Sequence, residues 1–114
     1  MRLRYIVLAL ACIAPGAAGA AEKLPSFPKR TLYDDAKSSL IALGFKPADM
    51  TSVKGRCLDD QDTRCAHYPE IEICYPTGKA QCQLLWTTPS GKVIEIETTE
   101  DLKVIGSKCR ANCS

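Results

Sequence analysis

Only 6% of the 114 residues are aromatic, with a single tryptophan, and the chain has a single histidine, His67. A lone histidine leaves no His pair for a metal, and acid/base chemistry near neutral pH would fall to His67 alone. No Gly-x-Ser-x-Gly turn marks a serine nucleophile beside it, so His67 reads as a loop residue next to Tyr68-Pro69. Cys-x-x-Cys is also missing, which argues against a thioredoxin-like exchange centre and against the usual zinc spacings. The sequence contains no phosphate-binding loop, dinucleotide fingerprint or internal repeat, and no basic patch with interleaved aromatics. Its longest apolar run, residues 5–14, has ten members. That is about half of what a membrane-spanning helix needs.

What that run does resemble is the core of an export signal. Arg2 and Arg4 precede it, Pro15-Gly16 breaks it, and Ala18-Gly19-Ala20 supplies the small-x-small pattern that signal peptidase accepts. Residues 1–20 therefore read as a signal peptide cleaved after Ala20. Leu10-Ala11-Cys12 loosely matches a lipoprotein box, a lesser alternative in which Cys12 would carry lipid. Cleavage takes Arg2, Arg4 and Cys12 with it, leaving 94 residues, 13 basic against 13 acidic groups, and six cysteines. A domain with no net charge has no long-range attraction for nucleic acid or for an anionic membrane.

Export to a periplasmic or secreted setting decides how the cysteines are used. In an oxidising compartment Cys57, Cys65, Cys74, Cys82, Cys109 and Cys113 are expected to form three disulfides, in one of fifteen pairings. Zinc on Cys57, Cys65, His67 and Cys74 is the competing use. No metal and no cofactor is expected.

Residues 21–30 carry Pro25 and Pro28 and read as an extended arm, with one domain over 31–114. Over 31–43, Leu32, Ala36, Leu40 and Leu43 make one helical stripe, with Thr31 as N-cap, Asp34 and Asp35 in the first turn, and Gly44 then Pro47 as the stop. Residues 45–68 read as a polar loop with a short strand near 50–53. Period-two alternation then marks strands through Ile71, Ile73 and Tyr75, through Cys82, Leu84 and Trp86, and through Ile94, Ile96 and Thr98, with a fourth near 102–105. A three-residue turn at Pro89-Ser90-Gly91 sets Trp86 opposite Ile94, Leu84 opposite Ile96, Leu85 beside Glu95 and Gln83 beside Glu97. A four-residue turn over 76–79 sets Ile71 opposite Leu84 and Ile73 opposite Cys82. That places Cys82 in the core and Cys74 outside, so a Cys74–Cys82 bond is disfavoured. The expected fold is α+β: one amphipathic helix packed on a small three- to four-stranded antiparallel meander, stapled by disulfides.

Other motifs weaken when counted. Asp59-Asp60-Gln61-Asp62 with Glu70 at the twelfth position suggests a calcium loop, but Arg64 stands where the sharp turn demands glycine. Asn112-Cys113-Ser114 matches a glycosylation sequon but holds a cysteine expected to be bonded. The outer strand face, with Glu72, Gln81, Gln83, Glu95 and Glu97 around Leu85 and Val93, is either a docking surface or an ordinary solvated face.

At Tyr33-Asp34-Asp35-Ala36, Leu43-Gly44-Phe45, Tyr68-Pro69-Glu70, Glu72, Cys74, Thr77-Gly78, Cys82 and Trp86, the chain resembles small secreted proteobacterial proteins that carry no assigned activity. The resemblance covers residues 31–99, implies a periplasmic setting and supplies no catalytic residues; the Cys109 to Cys113 tail reads as an addition to it. With no convergent acid, base, nucleophile or metal set, the sequence points to a non-enzymatic protein. Such a protein would bind another envelope or secreted protein, as an inhibitor, immunity factor or envelope accessory. The alternative is a small carbohydrate-binding or hydrolytic envelope protein using Trp86, Tyr68 or residues 59–62. A third reading, a redox-active thiol protein, predicts free or easily reduced cysteines.

Overall fold

The computed structural model describes residues 24–57, 63–75 and 81–113. The signal segment, the acidic run at 59–62 and the turn at 76–79 lie outside the described residues. In chain order the elements are β1 (Thr31–Leu32), α1 (Tyr33–Ala42), β2 (Lys46–Pro47), α2 (Thr63–His67), β3 (Ile71–Cys74), β4 (Cys82–Thr87), β5 (Val93–Thr98) and β6 (Lys103–Ala111). The strands form one antiparallel sheet in the order β1-β6-β5-β4-β2, with β3 pairing β4 as well. This is a mixed α+β fold, but the sheet has six strands rather than three or four, and α2 is a second helix.

The β4–β5 hairpin has the register its turn dictates: Leu84↔Ile96, Leu85↔Glu95, Trp86↔Ile94 and Gln83↔Glu97. Thr88 N donates to Lys92 O at 2.8 Å, and Gly91 takes φ +95°, a left-handed conformation that glycine adopts without a Cβ penalty. The inner face so formed, Leu84, Trp86, Ile94 and Ile96, is fully buried under α1. Helix α1 ends in a Schellman motif: Phe45 N donates to Leu40 O and Gly44 N to Ile41 O, with Gly44 at φ +88°. Phe45 and Leu40 both join the core, so the stop also sets the angle at which the chain leaves the helix.

Three features of the sequence reading need correction. Thr31 is not the N-cap. Pairing with Val104 holds it extended, its hydroxyl donates to Pro28 O, and the helix starts after Leu32 without a side-chain cap. The buried stripe accordingly shifts to Tyr33, Ala36 and Leu40, with Leu32 and Leu43 exposed. The 45–68 stretch forms its strand at β2, not at 50–53, and His67 closes a short helix instead of lying in a loop.

The second correction is at β3. Ile71 pairs with Leu84 as expected, but a bulge follows, so Ile73 faces Gln83 and Cys74 faces Cys82. One extra residue turns Cys74 inward, and both cysteines are buried. The disfavoured Cys74–Cys82 disulfide is therefore present, with Cα atoms 4.1 Å apart; the others are Cys57–Cys65 and Cys109–Cys113. Third, the fourth strand expected near 102–105 does not stop there: β6 continues through the tail for nine residues, between β5 and β1. Gly106, Ser107 and two register shifts against β5 interrupt the alternation that would have revealed it.

Candidate functional site

Two buried carboxylates lie on opposite faces of the sheet. On the inner face Glu70, 0% exposed, is reached from α1. The Trp86 indole N–H donates to the Tyr33 hydroxyl at 2.8 Å, Tyr33 donates to Glu70 Oε2 at 2.7 Å, and Lys37 Nζ stands 3.1 Å from the same oxygen. Burial, and then the charge and hydrogen bond of Glu70, push the Tyr33 phenol well above its ordinary value. Tyr68 packs edge-on to Tyr33 and donates to Asp34 Oδ1 at 2.6 Å; burial first, then Asp34, push its phenol up to about 12. These groups form a closed network that links helix to sheet. Glu70 belongs to it through Oε2, bound by Tyr33 and Lys37.

On the outer face the β3 bulge, the turn over 53–56 and the ends of β5 and β6 enclose a groove of about 500 Å³. The turn is anchored from below: Arg56 donates to Ile71 O and to Cys65 O, each at 2.6 Å. On the floor lies Glu95, 1% exposed. Arg110 Nη1 donates to Glu95 Oε1 at 2.7 Å and to Glu72 Oε1 at 2.9 Å, while Nη2 donates to Glu72 Oε2 at 3.0 Å. This two-point grip on Glu72 holds its carboxyl below the ordinary value and raises that of the guanidinium, with Glu95 adding to the second effect.

Glu95 Oε2 has no partner in hydrogen-bond geometry among the described residues. Glu97, two residues on and on the same face, stands beside it. The neighbouring Glu95 carboxylate, first, and then burial hold the Glu97 carboxyl above its ordinary 4.5, and Lys108 works in the opposite direction. Gly106 is the cross-strand neighbour of Glu97, and a Cβ there would sit 3.4 Å from Glu97 Oε1. The missing side chain leaves room for the carboxyl pair. At the rim Val53 and Tyr75 are 40% and 44% exposed, beside the cations Lys54 and Lys108. Chemically the groove offers a floor of carboxyls gripped by a guanidinium, flanking positive charge and a small apolar margin.

The structure separates the other residues that the sequence singled out. Exposed His67 meets the Tyr68 ring edge-on at 4.8 Å and stands apart from both carboxylates. Trp86 is buried beneath α1 and Tyr68 is nearly so, which removes both as open platforms for a sugar ring. The outer-face acids Glu72, Glu95 and Glu97 do converge, but Arg110, which organises them, went unrecognised because the tail did not read as a strand. Cys57, Cys65 and Cys74 bring their Sγ atoms within 4.8 Å of one another. Among the described residues, no helix is long and apolar enough to cross a membrane. Comparison with protein-family models, curated proteins and solved structures finds no match to this chain.

Proposed function

We propose that the protein is an exported, non-enzymatic binding module that engages another envelope or secreted protein through the groove on the outer face of its sheet. The observation that carries this reading is the groove itself, lined by residues of four strands, with the Arg110, Glu72 and Glu95 cluster as its floor and an exposed apolar and basic rim. Val53 and Tyr75 supply the apolar contact that recognition surfaces use, and Lys54 and Lys108 favour a partner with acidic side chains. The three disulfides and the N-terminal export pattern fit a periplasmic or secreted setting, as does the resemblance to small secreted proteobacterial proteins.

Site-specific photo-crosslinking in envelope extract tests the proposal. A cross-linker at Val53 or Tyr75 is expected to capture one partner saturably, and Lys108→Glu is expected to abolish the capture. The same probe at exposed Ile41 on α1 should capture nothing. Equal capture from Ile41, or indifference to Lys108→Glu, overturns the assignment of the groove.

A further inference from the structure

Two of the three disulfides lie side by side, and the backbone places their cysteines together independently of the sulfur bonds. Cys74 N donates to Arg56 O at 3.0 Å, forming an isolated parallel bridge between Cys57 and Cys74. On its other side Cys74 is the direct cross-strand neighbour of Cys82. Three cysteines thus stand in one row across three adjacent backbone segments. The fourth, Cys65, comes from α2, whose Cys65 O accepts from the Arg56 guanidinium while the same guanidinium donates to Ile71 O in β3. Arg56 therefore ties the helix to the row. The Sγ atoms of Cys57, Cys65 and Cys74 lie within 4.8 Å of one another, and Cys82 is bonded to Cys74.

We infer that, once reduced, Cys57, Cys65, Cys74 and Cys82 form a tetrathiolate site for a soft divalent cation of the Zn²⁺ class, an alternative cross-link for the same corner of the fold. In a tetrahedral zinc site with Zn–S of about 2.3 Å the sulfurs sit about 3.8 Å apart. Three of the sulfurs already lie within 4.8 Å of one another and the fourth, Cys82, is tethered to Cys74, so breaking the two S–S bonds and rotating the side chains is what brings the four to that spacing. Cys74 and Cys82 are fully buried, Cys65 nearly so and Cys57 partly exposed, so the site is closed except on one side, as structural zinc sites are. Four thiolates around a divalent cation carry a net charge of −2, and the Arg56 guanidinium, bonded to the Cys65 carbonyl, is a positive charge on the same segment that offsets part of it.

The chemistry balances with a dithiol or phosphine reductant. Each disulfide takes up two electrons and two protons to give two thiols, while the dithiol closes to its own disulfide or the phosphine takes oxygen from water to become its oxide. The cation then displaces four protons as four metal–sulfur bonds form. Cys109 and Cys113 are bonded to each other at the end of β6 and take no part.

The test uses the purified protein carrying Cys109→Ser and Cys113→Ser, reduced with a phosphine under argon and titrated with Co²⁺ as the optical probe and then with Zn²⁺. One Co²⁺ per chain is expected, with the intense visible bands of a tetrahedral tetrathiolate, displaced by one equivalent of Zn²⁺. The near-ultraviolet circular dichroism of buried Trp86, weakened on reduction, is expected to return with either metal, and all four thiols to be protected from alkylation. Cys65→Ser should weaken binding by roughly a hundredfold, and His67→Ala should leave it unchanged. Metal uptake without return of the Trp86 signal would mean scavenging by an unfolded chain and would overturn the inference. Octahedral Co²⁺ spectra, fewer than four protected thiols, or loss of binding in His67→Ala would do the same.

Discussion

Tyr33→Phe removes one oxygen from the core and separates two explanations of its stability. The hydroxyl accepts from Trp86 Nε1 at 2.8 Å and donates to Glu70 Oε2 at 2.7 Å, so its loss breaks two bonds in a dry site. The indole N–H is left buried without a partner, at about 1 to 3 kcal/mol, and Glu70 loses a charge-assisted bond worth about 1.5 to 3 kcal/mol. Lys37 remains 3.1 Å from the carboxylate, and Glu70 Oε1 already has no partner. The sum is about 2.5 to 6 kcal/mol, while removing a single oxygen changes the packing volume little. For a domain of this size each kcal/mol moves Tm by about 4 to 8 °C, so a fall of at least about 10 °C is expected. Trp86, the only tryptophan, reports the transition through its own fluorescence. Tyr68→Phe is the control: its hydroxyl meets the exposed Asp34, and its loss should cost no more than about 1 kcal/mol. Equal melting of the two variants, or a Tyr33→Phe effect below about 1 kcal/mol, would refute the argument that the Trp86-Tyr33-Glu70 relay holds the helix to the sheet.

On the outer face, Arg110→Met strips the counter-charge from buried Glu95 and should cost about 3 to 5 kcal/mol in urea unfolding; the double variant Arg110→Met/Glu95→Met should recover most of it. The two flanking carboxyls give opposite pH dependences. Glu72, held below 4.5, stabilises the fold above its unfolded value, and this is lost as pH falls through the folded one, so Glu72→Gln should flatten the acid limb of urea midpoints plotted against pH. Glu97, held above 4.5, stabilises the fold while protonated, and this is lost as pH rises through the folded value, so Glu97→Gln should remove that decline. Gly44→Ala, at φ +88° and with Pro89 Cγ 3.5 Å from the new Cβ, should lower stability by about 1 kcal/mol through backbone strain, read from thermal melts.

How far the sequence could be read depended on which residues carry period and which break it. The β4–β5 pairing was legible residue by residue because Gly91 fixes the turn and both strands keep an uninterrupted period of two. Gly44 marked the helix stop for a similar reason: a left-handed residue is needed there, and few others accept it. The helix start was not legible, since Thr31 is an equally good strand residue and only the distant β6 decides between the roles. The bulge at Glu72 inserts one residue without disturbing local composition, yet it reverses the direction of Cys74 and with it the disulfide pairing. Of the outer groove the acids were visible as a face. Their organiser was hidden, because Gly106 and Ser107 disguise β6 as a tail.

That weakness in β6 gives the Arg110 cluster a second physical role. A strand whose alternation is broken and which is bulged against its neighbour has little hydrophobic pattern to set its register. Sliding β6 by one residue would carry Arg110 to the other face and leave Glu95, 1% exposed, without its cation. Burial of apolar area alone would not resist such a slip, since several side chains of the strand after Val104 are only partly buried or exposed. The Arg110 grip on Glu72 and Glu95 therefore supplies the specificity that the β6 sequence lacks, and it does so at the floor of the groove. The stability of β6 and the shape of the proposed recognition surface then rest on the same three side chains.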